Sequence, residues 1–193
     1  MPSMLKTALA VSLACVAGSA SAATIQFSAA EAPGVSCCGL VDPDAFAHLG
    51  VKVDNAYWYR DYRDTFDLPS PAAEGEGLAL FNAGKATLTL LSAVSQISFQ
   101  YFVITGHSGT YTALGNASQV VDSFTIGAPG ADALGTHTFF GDIKYLTFAG
   151  DPGYVTVSGI TTTSVPEPES LALVLAGAGV VSAALSRRAR RRA

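Results

Sequence analysis

Short runs of alternating apolar and polar residues, broken by Gly, Pro, Asp and Asn, constrain this chain most. No window between residues 23 and 165 sustains the three-to-four spacing of an amphipathic helix. Residues 51–59 (VKVDNAYWY) place Val51, Val53, Tyr57 and Tyr59 on one side. Residues 95–104 (SQISFQYFVI) do the same with Ile97, Phe99, Tyr101 and Val103. Further strands are predicted at 25–28, 78–81, 86–91, 120–126, 136–140, 144–148 and 154–158, rich in Val, Ile, Thr, Tyr and Phe. Residues 82–85 (NAGK) have the composition of a hairpin turn. Only residues 43–49 suggest a helical turn, with Asp42 able to cap it. Short strands at regular spacing, with no helices between them, predict an all-β body, a β-sandwich or jelly roll.

Charge divides the chain into three. Residues 1–22 carry Lys6 alone, residues 23–165 sum to −8, and residues 166–193 sum to +3, giving the net −4 of the whole. A chain with 49% hydrophobic and 13% charged residues is not of disordered composition. The acidic balance argues against a nucleic-acid partner.

Lys6 precedes the apolar run TALAVSLACVAG, which ends in small residues. Ala20 and Ala22 form the small-x-small pattern that a signal peptidase accepts, so residues 1–22 read as a signal peptide cleaved after Ala22. The alternatives are a buried N-terminal helix and a lipoprotein acylated at Cys15. Export places the body in an oxidising compartment. There, adjacent Cys37 and Cys38 have three open states: a vicinal disulfide that stiffens its loop, pairing between molecules, or free thiols.

After the Thr-rich residues 161–165, expected as a linker, comes Pro166-Glu167-Pro168, whose prolines deny regular structure. Residues 171–185 are then apolar and uncharged, and Arg187, Arg188, Arg190, Arg191 and Arg192 follow. Residues 170–186 are expected to form a short transmembrane helix, with the arginines inside and the acidic body outside. Pro-Glu-Pro, short apolar span and arginine cluster, in that order, resemble the PEP-CTERM sorting signal of Gram-negative bacteria. That resemblance, over residues 166–193, implies recognition by an exosortase, a membrane protease-transpeptidase acting near Pro166–Pro168. It implies transient residence in the inner membrane, then release or attachment at the surface in association with exopolysaccharide and biofilm. Residues 23–160 loosely resemble the jelly-roll-like bodies that precede such tails, through AYWYRDYRDTFD and IKYLTFAGDPGYVTVSGIT. Those bodies often carry an acidic I-D-N-I in the last strand, where Val157-Ser158-Gly159-Ile160 stands here.

Asp61, Asp64 and Asp67 are spaced by three, so they cannot share one face of a strand, but in a loop they can surround Ca²⁺. The alternative is a solvated acidic loop with Arg60 and Arg63 as partners. Tyr57, Trp58, Tyr59 and Tyr62 suit either sugar stacking or a core. His48, His107 and His137 form no local metal pair. Gly106-His107-Ser108-Gly109 falls short of a nucleophile elbow, because Thr110 stands where the second glycine is needed. The expected function is that of a non-enzymatic, exported binding or structural protein. The alternative is an exported hydrolase on the same scaffold, using Asp61, Asp64, Glu74, Glu76 and the histidines.

Overall fold

Nearly every alternating run becomes strand. The computed structural model describes residues 22–28, 30–31, 39–60, 76–82, 84–131 and 133–164. Its strands are β1 (Ala22–Gln26), β2 (Val51–Asp54), β3 (Ala56–Arg60), β4 (Glu76–Leu80), β5 (Lys85–Val103), β6 (Ser108–Leu114), β7 (Val120–Gly127), β8 (Ala133–Gly150) and β9 (Val155–Ser164). One 3₁₀ turn, Ala47–Leu49, stands where a helical turn was expected, and the Asp44 N–H donates to Asp42 Oδ1 at 2.8 Å just before it. Residues Ser21–Val165 make one compact unit. The expected signal helix and transmembrane helix lie outside the described residues.

The strands join in the order β3-β4-β9-β5-β8-β6-β7, with β1 added to β9 and β2 to β5, and every pairing is antiparallel. The two longest strands turn this sheet back on itself. Residues 85–90 of β5 lie between β2 and the second half of β8, whereas residues 94–103 lie between β9 and the first half of β8. The register slips between Thr89 and Gln96, and β8 bends alongside at Gly141, whose φ of 134° favours glycine. Both strands therefore pass from one layer to the other at the same corner.

The inner faces meet in one aromatic-rich core. Tyr111 of β6 packs on Phe99 of β5 with centroids 5.0 Å apart, and Tyr101 packs on Phe124 of β7 at 5.3 Å. Neither pair is hydrogen-bonded neighbour to neighbour, so these contacts cross between layers. The Tyr111 hydroxyl spans the gap and donates to the Thr156 carbonyl at 3.0 Å. Phe27, Phe46, Phe139 and Phe148 are fully buried around them. Each such ring contributes roughly 1.5–3 kcal/mol through burial.

Several expectations change. Residues 51–59 are two strands, because Asn55 adopts φ 54° and turns the chain from a partnership with β5 to one with β4. Asn tolerates that left-handed conformation, and its Nδ2 donates to the Lys85 carbonyl at 3.1 Å. Residues 82–85 do not close a hairpin, since β9 lies between β4 and β5. Runs 86–91 and 95–104 fuse into β5, and 136–140 and 144–148 into β8. Strand β6 had no counterpart in the prediction. Its inward residues Gly109, Tyr111 and Ala113 include two small ones that dilute the alternation.

The Thr-rich segment expected as a linker over 161–165 is strand through Ser164. β-Branched threonines suit a pleated face. Thr162 is buried with Oγ1 donating to the Ala23 carbonyl at 3.5 Å, and Thr161 meets Thr24 hydroxyl to hydroxyl at 3.2 Å.

Candidate functional site

The face of β3-β4-β9-β5 turned away from the main core is apolar at one end. Tyr59, Ala79, Phe102 and Ile104 are buried there, with Tyr57 and Tyr154 packed against them. Trp58, on the opposite side of β3, joins the main core, and its Nε1–H donates to the Phe27 carbonyl at 3.2 Å. Alternation along β3 thus sends Trp58 one way and the two tyrosines the other, and both sides are covered. Burial pushes the Tyr59 phenol up to about 12, against a hydrogen bond with Thr156 that lowers it. Burial likewise holds the Tyr111 phenol well above its ordinary value.

Two turns close over this cluster. The β5–β6 turn is tight because Gly106 has φ 87°, and the β8–β9 turn because Gly153 has φ 81°. Backbone bonds lock them together: the Ile104 N–H donates to the Tyr154 carbonyl at 3.2 Å, and the Gly153 N–H to the Leu80 carbonyl at 2.9 Å. The Gly106 N–H donates to the Ala128 carbonyl at 2.6 Å, and the Ala128 N–H returns to the His107 carbonyl at 3.0 Å.

The result is a small polar platform on an apolar base. The His107 ring lies flat on Tyr154, with centroids 3.9 Å apart and planes 7° from parallel. His107 Nδ1 meets Asp151 Oδ2 at 2.7 Å. The His107 side chain is 27% exposed and that of Asp151 63% exposed, so the pair is open to solvent at low net stabilising value. A carboxylate on Nδ1 fixes the imidazole's orientation and leaves Nε2 as the other ring nitrogen for a ligand. Stacking covers the facing sides of the two rings, so a ligand would meet an outer ring face beside the exposed carboxylate; that pairing suits a polyol, whose C–H groups pack on rings and whose hydroxyls hydrogen-bond to carboxylates.

The residues singled out from sequence fall in different places. Asp61, Asp64, Asp67, Tyr62, Glu74, Cys37, Cys38, Ala20, Pro166, Glu167, Pro168 and the five arginines lie outside the described residues. Ala22 is the first residue of β1, opposite Thr163. Glu76 opens β4, opposite Arg60 in register. The three histidines do not converge. His48 is in the 3₁₀ turn, His107 is in the β5–β6 turn, and half-buried His137 of β8 stacks on Phe124 at 4.0 Å. Among the described residues, no group of three or more His, Cys, Asp or Glu stands ready to hold a metal. The His107–Asp151–Tyr154 grouping was not read from the sequence. Its only traces are two Gly-containing turns, Thr105-Gly106-His107 and Asp151-Pro152-Gly153-Tyr154, far apart along the chain.

Comparison with known proteins gives one assignment and several remote likenesses. Residues 164–192 match the PEP-CTERM protein-sorting motif. No curated protein matches the chain in sequence. Among solved structures, the K2 cleaved adhesin domain of Lys-gingipain is 12% identical with TM-score 0.45, over 75% of this chain and 99% of that one. The carbohydrate-binding module CBM6cm-2 of Cellvibrio mixtus lichenase 5A, solved with cellotriose, is 14% identical with TM-score 0.35, over 75% and 98%. The C-terminal CBM6 of LamC from Zobellia galactanivorans is 8% identical with TM-score 0.39, over 75% and 100%. With every TM-score below 0.5, none of these likenesses bears on what this chain binds.

Proposed function

We propose that this chain, which carries the PEP-CTERM sorting motif at residues 164–192, delivers a non-enzymatic β-sandwich to the cell surface or beyond. Residues 1–22 direct export and are removed by signal peptidase after Ala22. Residues 170–186 hold the chain in the inner membrane until an exosortase acts near Pro166–Pro168. The observation that carries this reading is the match of residues 164–192 to the sorting motif, which begins on Ser164, the last residue of β9. Intact mass of the surface form tests it. Loss of the arginine cluster is expected, and a surface form that retains it refutes processing.

Outside the cell, the body binds exopolysaccharide through the His107–Asp151–Tyr154 platform. The supporting geometry is the flat His107–Tyr154 stack beside an exposed carboxylate. A pull-down of the intact chain on the producing organism's exopolysaccharide, with and without Ca²⁺, tests this step. Y154A should abolish retention. Equal retention of Y154A and the native chain removes the platform from the function. A loss of retention on chelation that D61N/D64N/D67N reproduces without chelator assigns a cation to Asp61, Asp64 and Asp67.

A further inference from the structure

Among the described residues, Leu40, Leu91, Val120, Leu134 and Phe140 are the exposed large apolar side chains. Three of them gather at one end of the body, and the strand register shows which end. β9 finishes with Thr163 opposite Gln96 and Ser164 opposite Val94. Across β5, Gln96 lies opposite Phe140 and Val94 opposite Ile143. Phe140, 67% exposed, therefore sits two strands from the point where β9 leaves the sheet. Leu91 lies on the same corner, its carbonyl accepting from Lys144 Nζ at 2.8 Å. Val120, 65% exposed, opens β7 opposite Leu114, which faces Tyr145 just past the bend of β8. The neighbouring Val121 reaches that bend, because a Cβ built on Gly141 would meet its Cγ1 at 2.7 Å. Leu134 lies the other way along β8, about 20 Å from Phe140 at strand rise.

We infer that this corner docks on the lipid bilayer surface, with Phe140, Val120 and Leu91 entering the headgroup region. The inference rests on the proposed membrane anchoring of residues 170–186. From Ser164 to Leu171 the chain can extend at most roughly 25 Å. While the apolar segment is inserted, the corner that β9 leaves is held within that distance of the lipid. Aromatic and aliphatic side chains at that level bind by burying apolar area. The charges at this corner are Asp142 and Lys144 near Phe140 and Asp122 near Val120, so no basic patch draws it to anionic lipid and docking is apolar rather than electrostatic. This corner is opposite in β8 register to the Leu134 end, where Phe102 and Thr156 pair beneath the His107 platform. Docking would hold the platform away from the membrane.

The test uses the full chain reconstituted in phosphatidylethanolamine–phosphatidylglycerol vesicles whose acyl chains are brominated close to the headgroup. Two variants, F140W and L134W, each add one indole to the common background of buried Trp58. Flotation with the vesicles is measured first, then bromine quenching of emission. Floating chains in which F140W is quenched several-fold more than L134W support the docking. Floating chains with equal quenching of the two overturn it and leave the anchoring intact. Chains that do not float refute the anchoring, and the docking with it. A blue-shifted F140W in detergent, on a particle with the mass of two chains, assigns the corner to a second copy and overturns the lipid assignment.

Discussion

Raising the pH above 10 should unfold this body with an unusual steepness that two buried tyrosines cause. In the folded chain burial holds Tyr59 up to about 12 and Tyr111 well above its ordinary value, so both phenols stay neutral as the pH rises. In the unfolded chain they ionise near 10. Their contribution to stability is therefore complete below pH 10 and is lost as the pH climbs toward the folded values. Each residue adds about 1.4 kcal/mol of lost stability per pH unit. For Tyr59 the loss amounts to about 3 kcal/mol between pH 10 and 12, and Tyr111 adds to it in the same direction. Against a typical total of about 5–15 kcal/mol, this is enough to bring unfolding within reach near pH 12. The Tyr111 hydroxyl also donates to the Thr156 carbonyl between layers, so Y111F should cost about 1 kcal/mol at pH 7. The same variant lacks Tyr111's share of the alkaline penalty and keeps that of Tyr59. Its stability line should start below that of the native chain and cross above it between pH 10 and 12. Urea unfolding of the full chain in detergent, followed by Trp58 emission at intervals from pH 7 to 12, reads both lines. Other titrating groups are common to the two proteins and cancel in the difference. Parallel lines for Y111F and the native chain would falsify the reasoning, and a Y59F/Y111F chain that keeps the native slope would remove both residues from it.

F99A should cost about 3–5 kcal/mol in the same unfolding assay, because Phe99 is fully buried against Tyr111 and Phe139. A cost under about 1 kcal/mol would mean that the two layers do not share this core. G150A should lower stability by more than about 2 kcal/mol, since Gly150 has φ 150° and an added Cβ would run into the Ser108 carbonyl. G84A, at an equally glycine-like φ of 121° but in open space, should cost clearly less, and equal losses would refute the steric part of the argument.

Local chemistry made much of the fold legible, and long-range pairing supplied the rest. The alternation of Ile97, Phe99, Tyr101 and Val103 identified the inner face of β5 because side-chain period survives any partner. The sequence could not show that β5 continues backward through Leu91 to Lys85. Continuity across the bend depends on β8 bending with it. Asn82-Ala83-Gly84-Lys85 had the composition of a hairpin, yet a turn cannot tell which strand will fill the space beside it, and β9 fills it. Trp58 and Tyr59 read as core before binding surface, without showing what would cover them. Burial of both was decided by Tyr154, Phe102 and Ile104, which arrive from elsewhere in the chain. The platform was hidden for the same reason, since His107 and Asp151 sit on separate turns that only the sheet order brings together.

The position of β9 bears on how the body carries load. This strand is flanked by β5 on one side and by β1 and β4 on the other, and it runs straight into the sorting motif. A pull on the C-terminal attachment acts along β9, parallel to the strand axis. Its ladder bonds are then strained together in shear instead of parting one at a time from an end. A body fixed to a surface at that point is held by a strand paired along both edges, and flow or contact force reaches the interior of the sheet before it reaches any edge.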